Sequence, residues 1–173
     1  MTASVDPLVV GRVIGEVVDM FMPKTNMSVN YGLKHVSNGC DVKPSLASST
    51  PSVDISARPT DLFTLVMTDP DAPSPSDPTM REWIHWLVVN VPGGTDISQG
   101  DEVVPYMGPR PPVGIHRYVF VLFQQKAPFP AVAPLESRAN FCTRAFAAQC
   151  NLGLPVAAVY FNAQKEPASR RRY

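Results

Sequence analysis

Two histidines and two aspartates stand where apolar runs give way to polar loops. Asp69 and Asp71 follow the run LFTLVMT, His85 lies inside EWIHWLVVN, and His116 opens HRYVFVLF. In an extended strand residues i and i+2 share a face, so Trp83 lines the same surface as His85, and Tyr118 the same surface as His116. Between the histidine segments runs Gly108-Pro109-Arg110-Pro111-Pro112, a stiff wall in which Gly108 permits close backbone approach.

Four readings compete for this group. By ligand type, two His and two Asp suit zinc or iron, but no two stand at helical ligand spacing, so no metal ligand is assigned. Hydrolysis needs an activated nucleophile, and no serine or cysteine stands in a context such as G-x-S-x-G, so no catalytic residue is assigned. In an anion pocket, imidazole and backbone N–H donors face a phosphate or carboxylate while carboxylates orient the rings. In a purely structural arrangement the histidines are hydrogen-bonded to the aspartates in the core. The pattern leaves these last two open. The pocket candidates are Asp69, Asp71, Trp83, His85, Gly108, Pro109, His116 and Tyr118.

Composition bounds the frame that holds them. The chain has 173 residues, with 15 Lys and Arg against 15 Asp and Glu. That length fits one domain, residues 1–173. A balanced charge argues against coating nucleic acid or an anionic membrane, which rests on many Lys and Arg contacts. No direct nucleic-acid contact and little or no membrane association are therefore expected. The 45% hydrophobic content excludes wholesale disorder. The 19 prolines exclude a mainly helical bundle, because proline is barred from helix interiors and central strands. Cys40, Cys142 and Cys150 lack zinc spacing and read as reduced thiols. Asp6, Pro7, Arg12 and Glu16 interrupt the N-terminal apolar run, and no stretch approaches the roughly 20 apolar residues of a membrane span. The expectation is a soluble intracellular protein.

Local signals place the elements. Asp6-Pro7 starts a short helix, and Val17 to Phe21 is extended. Ser28 to Val36 alternates as a strand with Val29, Tyr31 and Leu33 on one side, and Asn38-Gly39 then predicts a tight hairpin turn. Residues 45–52 read as a surface loop. Leu62–Thr68, Trp83–Val91 and Arg117–Gln124 are apolar runs expected of strands covered on both faces, and Val156–Phe161 is a fourth. The segments DPDAPSPSDP and Pro105–Ile115 are proline-rich loops. Ser137 to Asn151 predicts a helix with Gly153 as its left-handed cap. Buried strands, long proline-rich loops and one or two peripheral helices give a mainly β fold, a β-sandwich with helical decoration.

Three segments carry a family resemblance. DPDAPSPSDPTMREWIHWLVVN, GPRPPVGIHRYVFVLF and LGLPVAAVYFNAQ resemble the phosphatidylethanolamine-binding protein family, the first two being its signature segments. FCTRAFAAQCNLGLPVAA resembles the plant branch, which includes the flowering regulators FLOWERING LOCUS T and TERMINAL FLOWER. Trp83, PYMGPRPPVGIHRY and the ending QKEPASRRRY are similar to the Mother-of-FT group within it. The resemblance implies an antiparallel Greek-key β-sandwich with short peripheral helices, one near the C-terminus. It implies an anion pocket at Asp69, Asp71, His85, His116 and Tyr118, and cis peptides near Ala72-Pro73 and Arg81-Glu82. It implies no cofactor, only a bound phosphate, sulfate or phospholipid headgroup. Trp83 stands where florigen-type members have tyrosine and floral repressors have histidine.

The same resemblance bears on partners. Florigen-type members contact 14-3-3 proteins through two arginines, a proline and a phenylalanine. Here the aligned residues are Thr60, Pro128, Pro92 and Gln99, so only Pro92 matches and a florigen-style 14-3-3 interface does not carry over. Other surfaces stay open. The group implies a monomeric, non-enzymatic co-regulator of bZIP-type transcription factors in cytoplasm and nucleus, acting in seed germination and dormancy, hormone response and flowering. A headgroup or small-anion sensor is the alternative, and a protease or kinase inhibitor a third. Arg170, Arg171 and Arg172 form a basic tail at residues 168–173. Such a run reads as a solvated end or a contact for acidic partners.

Overall fold

The computed structural model describes residues 6–167. The basic tail with Arg170, Arg171 and Arg172 lies outside them. In chain order the elements are α1 (Pro7–Val10), α2 (Val13–Glu16), β1 (Asn26–Tyr31), β2 (Lys34–His35), β3 (Cys40–Asp41), β4 (Ser52–Ser56), β5 (Leu62–Asp69), β6 (Trp83–Pro92), β7 (Asp101–Val104), β8 (His116–Gln124), α3 (Thr143–Gln149) and β9 (Ala157–Ala163). A single 3₁₀ turn, Ile97–Gln99, precedes β7.

Six strands form one sheet in the order β3-β9-β8-β5-β6-β7, and three form a second in the order β2-β1-β4. Strand alternation sorts the large sheet's side chains between two cores. From β8, Tyr118, Phe120 and Leu122 meet Val29, Tyr31, Val53 and Ile55 of the small sheet. Val119, Val121 and Phe123 point the other way, onto Leu8, Val13, Val17 and Phe21 of the N-terminal segment and Phe146 and Ala147 of α3. The fold is the expected mainly β sandwich with short peripheral helices, one of them near the C-terminus.

Three local readings need correction. Leu33 does not continue the first strand. Gly32 takes a positive φ of 57° and the chain turns there, leaving Leu33 fully exposed. Asn38-Gly39 turns the chain but makes no hairpin: β2 pairs with β1, and β3 after the turn pairs in parallel with β9 of the other sheet. The helix expected over Ser137–Asn151 is confined to Thr143–Gln149. Its first residues are drawn into a non-helical strap that turns at Asn140, because Arg138 O and Phe141 O accept from Ile84 N and Glu82 N, each at 2.9 Å. Asp6 does cap α1, accepting from Leu8 N at 2.9 Å.

Candidate functional site

The large sheet brings the acidic and imidazole groups together through its strand order. β5 ends at Asp69 and lies between β6, which carries Trp83 and His85, and β8, which opens with His116 and Tyr118. Asp69 is in register with Trp83 across β5 and β6. Asp69, Trp83, His85, His116 and Tyr118 line one cavity of about 340 Å³, closed by Ala72, Pro73, Met80, Met107, Arg110 and Pro112 from the proline-rich loops. Cis peptides at Ala72-Pro73 and Arg81-Glu82 flank the first loop.

The two histidines are held differently. His116 is buried, with Nδ1 2.7 Å from Asp69 Oδ2 and Nε2 2.8 Å from the Val113 carbonyl oxygen. Both partners are acceptors, so the partners assign a hydrogen to each ring nitrogen. Burial opposes charge on this ring. The bond to Asp69, that carboxylate's charge, the Val113 carbonyl and Asp71 outweigh it and raise the His116 pKa above the ordinary imidazole value. His85 Nδ1 donates to the Met107 carbonyl oxygen at 2.6 Å. Burial lowers its pKa, against the pulls of the Met107 carbonyl and Asp69 and with help from Arg138 and His116. Burial thus favours the neutral ring, in which Nε2 carries a lone pair.

Aromatic packing fixes the rings. Tyr118 meets His85 edge-on at 5.2 Å and stacks on Phe161 at 5.3 Å, with His116 parallel to it at 6.4 Å. Burial, followed by the charges of Asp69 and Asp71 and the hydrogen bond to Asp69, raises the Tyr118 pKa, so the phenol stays a donor to that carboxylate.

Three candidate residues sit elsewhere. Asp71 does not line the cavity. Its Oδ2 accepts from Arg117 N and Nε at 2.8 and 2.9 Å and its Oδ1 from Nη2 at 2.7 Å, while its own N–H donates to Asp69 Oδ1 at 2.7 Å. Gly108 packs on the segment at Ala47, where an added Cβ would lie 2.8 Å from the Ala47 carbonyl oxygen. Its close approach is to protein backbone. Pro109 is buried beside it and also lies outside the lining. Carboxylates orient only one of the two rings, since a carbonyl orients His85. Sequence reasoning missed Arg110 as a lining residue, although it was visible as the one cation inside the proline wall. Among the described residues no cluster of three or more His, Cys, Asp or Glu is placed to hold a metal, and no helix is long and apolar enough to cross a membrane.

The family model for phosphatidylethanolamine-binding protein matches residues 18–161, a span that includes every cavity residue. The chain belongs to the phosphatidylethanolamine-binding protein family. Within that family it is 64% identical over 174 residues to Protein MOTHER of FT and TFL1 homolog 2 of Oryza sativa subsp. japonica, covering 99% of this chain and 100% of the relative. It is 53% identical to Protein TERMINAL FLOWER 1 of Arabidopsis thaliana, over 99% of this chain and 97% of that one. Among solved structures it resembles a carboxypeptidase Y inhibitor complexed with its cognate proteinase, at a TM-score of 0.84 and 26% identity, covering 92% and 94% of the two chains. This member is of the Mother-of-FT kind.

Proposed function

We propose that this protein is a non-enzymatic regulatory adaptor, a transcriptional co-regulator acting in seed germination and dormancy, hormone response and flowering. Its partners are bZIP-type transcription factors, and its cavity takes an anionic phospho-ligand. The observation that carries this reading is the 64% identity to the rice Mother-of-FT relative along both whole chains. The cavity adds chemical support. Its lining holds no Ser, Thr or Cys to act as a nucleophile, while Arg110 and Trp83 supply the donors an oxyanion needs.

A second reading, a phospholipid-headgroup or small-anion sensor, draws on the same cavity with occupancy as the primary event. Inhibition of a protease rests only on likeness to the carboxypeptidase Y inhibitor. Affinity purification from seed tissue, with wild type and His85→Ala, tests the adaptor. Recovery of bZIP factors by the wild type is expected. Their loss with His85→Ala supports gating by the ligand, and their retention places the partner surface away from the cavity. Recovery of no transcription factor by either protein sinks the adaptor reading in favour of the sensor.

A further inference from the structure

Hydrogen-bond donors and acceptors in the cavity are unequally spent, and that decides which oxyanions fit. His116 has no N–H left to offer, because one is committed to Asp69 and the other to Val113. His85 has spent its single N–H on Met107. Its Nε2 bonds to no described residue, yet it is not among the sealed, unpartnered atoms, so it keeps access to the cavity that the ring lines. The unspent donors are the Trp83 indole and the Arg110 guanidinium, while the Tyr118 hydroxyl is directed at the Asp69 carboxylate. The groups that accept are His85 Nε2 and the Asp69 carboxylate.

We propose that the cavity selects an oxyanion carrying its own proton donor, with His85 Nε2 accepting a hydrogen bond from it. This rests on the anion pocket of the preceding section. A fully ionised oxyanion sets lone pairs against a lone pair and a carboxylate, and an acceptor facing an acceptor forfeits the bond and repels. An oxyanion with one O–H or N–H satisfies both ends at once. The charged and titratable groups around His85 are Asp69 on β5, which pulls toward the charged ring, His116 on β8 and Arg138, which oppose it, and Tyr118 on β8 and Arg110 in the proline loop. Arg138 Nη1 also donates to His85 O at 3.1 Å.

Methyl phosphate and methyl sulfate test this directly. At about pH 5.5, below the second ionisation of a phosphomonoester near pH 6, both are monoanions of similar shape and differ by one O–H. Titration followed by imidazole ¹⁵N NMR should show methyl phosphate binding at least tenfold more tightly. The free protein should show His85 unprotonated at Nε2, and that resonance should move on binding. Raising the pH past about 6 strips the O–H and should weaken methyl phosphate at least tenfold. Glycerophosphoethanolamine and glycerophosphocholine distinguish the sources. Tenfold preference for the first assigns the donor to a headgroup ammonium, and binding of neither assigns it to a P–OH. Equal affinity for the two methyl esters, or a His85 ring protonated at Nε2 in the free protein, would overturn the proposal. If none of these anions moves His85 or Tyr118 at any pH, the anion-pocket reading falls, and this selection with it.

Discussion

Asp71 holds Arg117 through both carboxylate oxygens, and the backbone N–H of the same Asp71 holds Asp69 in place for His116. Arg117 reaches onward to Gly11 O at 2.8 Å and Glu16 Oε2 at 2.5 Å. The cavity's carboxylate, the start of β8 and the N-terminal segment are thus joined by one buried cation. Burial alone would raise the Asp71 pKa, but the hydrogen bonds and charge of Arg117 outweigh it and hold it below the usual carboxylate value.

Arg117→Ala should therefore cost about 3–5 kcal/mol, because it removes every hydrogen bond from the Arg117 side chain to the buried Asp71 carboxylate and leaves Arg81, 3.7 Å away, as its ion-pair partner. Urea unfolding measures the loss. Limited proteolysis should also begin cutting near residues 11–16, which lose the anchors at Gly11 and Glu16 and keep those from Arg81 and Arg144. A loss below about 1 kcal/mol, the worth of a surface pair, would show that the network is solvated and contributes little.

The two histidines predict a stability maximum in pH. His116 has a raised folded pKa, so its contribution is complete below the unfolded value of about 6.5 and is lost as pH rises through the higher folded value. His85 has a lowered folded pKa, so its contribution is present above about 6.5 and is lost as pH falls through the lower folded value. Asp69→Asn should flatten the alkaline limb while the acid limb persists and deepens, because His85 loses that carboxylate's pull toward the charged ring. Unfolding free energies across the pH range check this, and an unchanged alkaline limb would rule out the Asp69–His116 pair as its source.

Glu82 caps α3 from outside the helix. The N-cap residue Cys142 makes no side-chain bond, and Glu82 instead accepts from Thr143 N at 3.1 Å and Thr143 Oγ1 at 2.5 Å. Glu82→Ala should destabilise by about 1–2 kcal/mol, the scale of a lost cap, and Glu82→Gln by less, since its amide oxygen still accepts. Thermal melts of both variants decide it.

Legibility in the sequence followed burial. The strands Leu62–Asp69, Trp83–Pro92 and His116–Gln124 were readable because the large sheet is covered on both faces and their side chains are mostly apolar and buried. Asp101–Val104 was not, because this edge strand shows two exposed acidic residues before its first buried one. The shared faces of Trp83 with His85 and of His116 with Tyr118 followed from strand periodicity. The separate fates of Asp69 and Asp71 did not, because β5 ends between them and alternation no longer applies. Nothing local reveals that the Met107 carbonyl, 22 positions from His85, sets that ring's tautomer.

Trp83 and Pro92 begin and end the same strand, β6, so roughly 30 Å of extended backbone separates the cavity rim from the florigen-type contact position. Thr60, Gln99 and Pro128 are exposed, and none lines the cavity. Trp83→Tyr changes only the rim, exchanging an indole N–H for a phenol. It should leave 14-3-3 affinity unchanged within about threefold, or about 0.6 kcal/mol. Thr60→Arg, Gln99→Phe and Pro128→Arg together should strengthen 14-3-3 binding whichever residue stands at position 83, because distant sites without shared partners contribute nearly additively. Dissociation constants for the single, triple and quadruple variants measure the coupling. If Trp83→Tyr alone raised 14-3-3 affinity tenfold, about 1.4 kcal/mol, β6 would be transmitting rim chemistry along its length, and the separation of the two surfaces would be wrong.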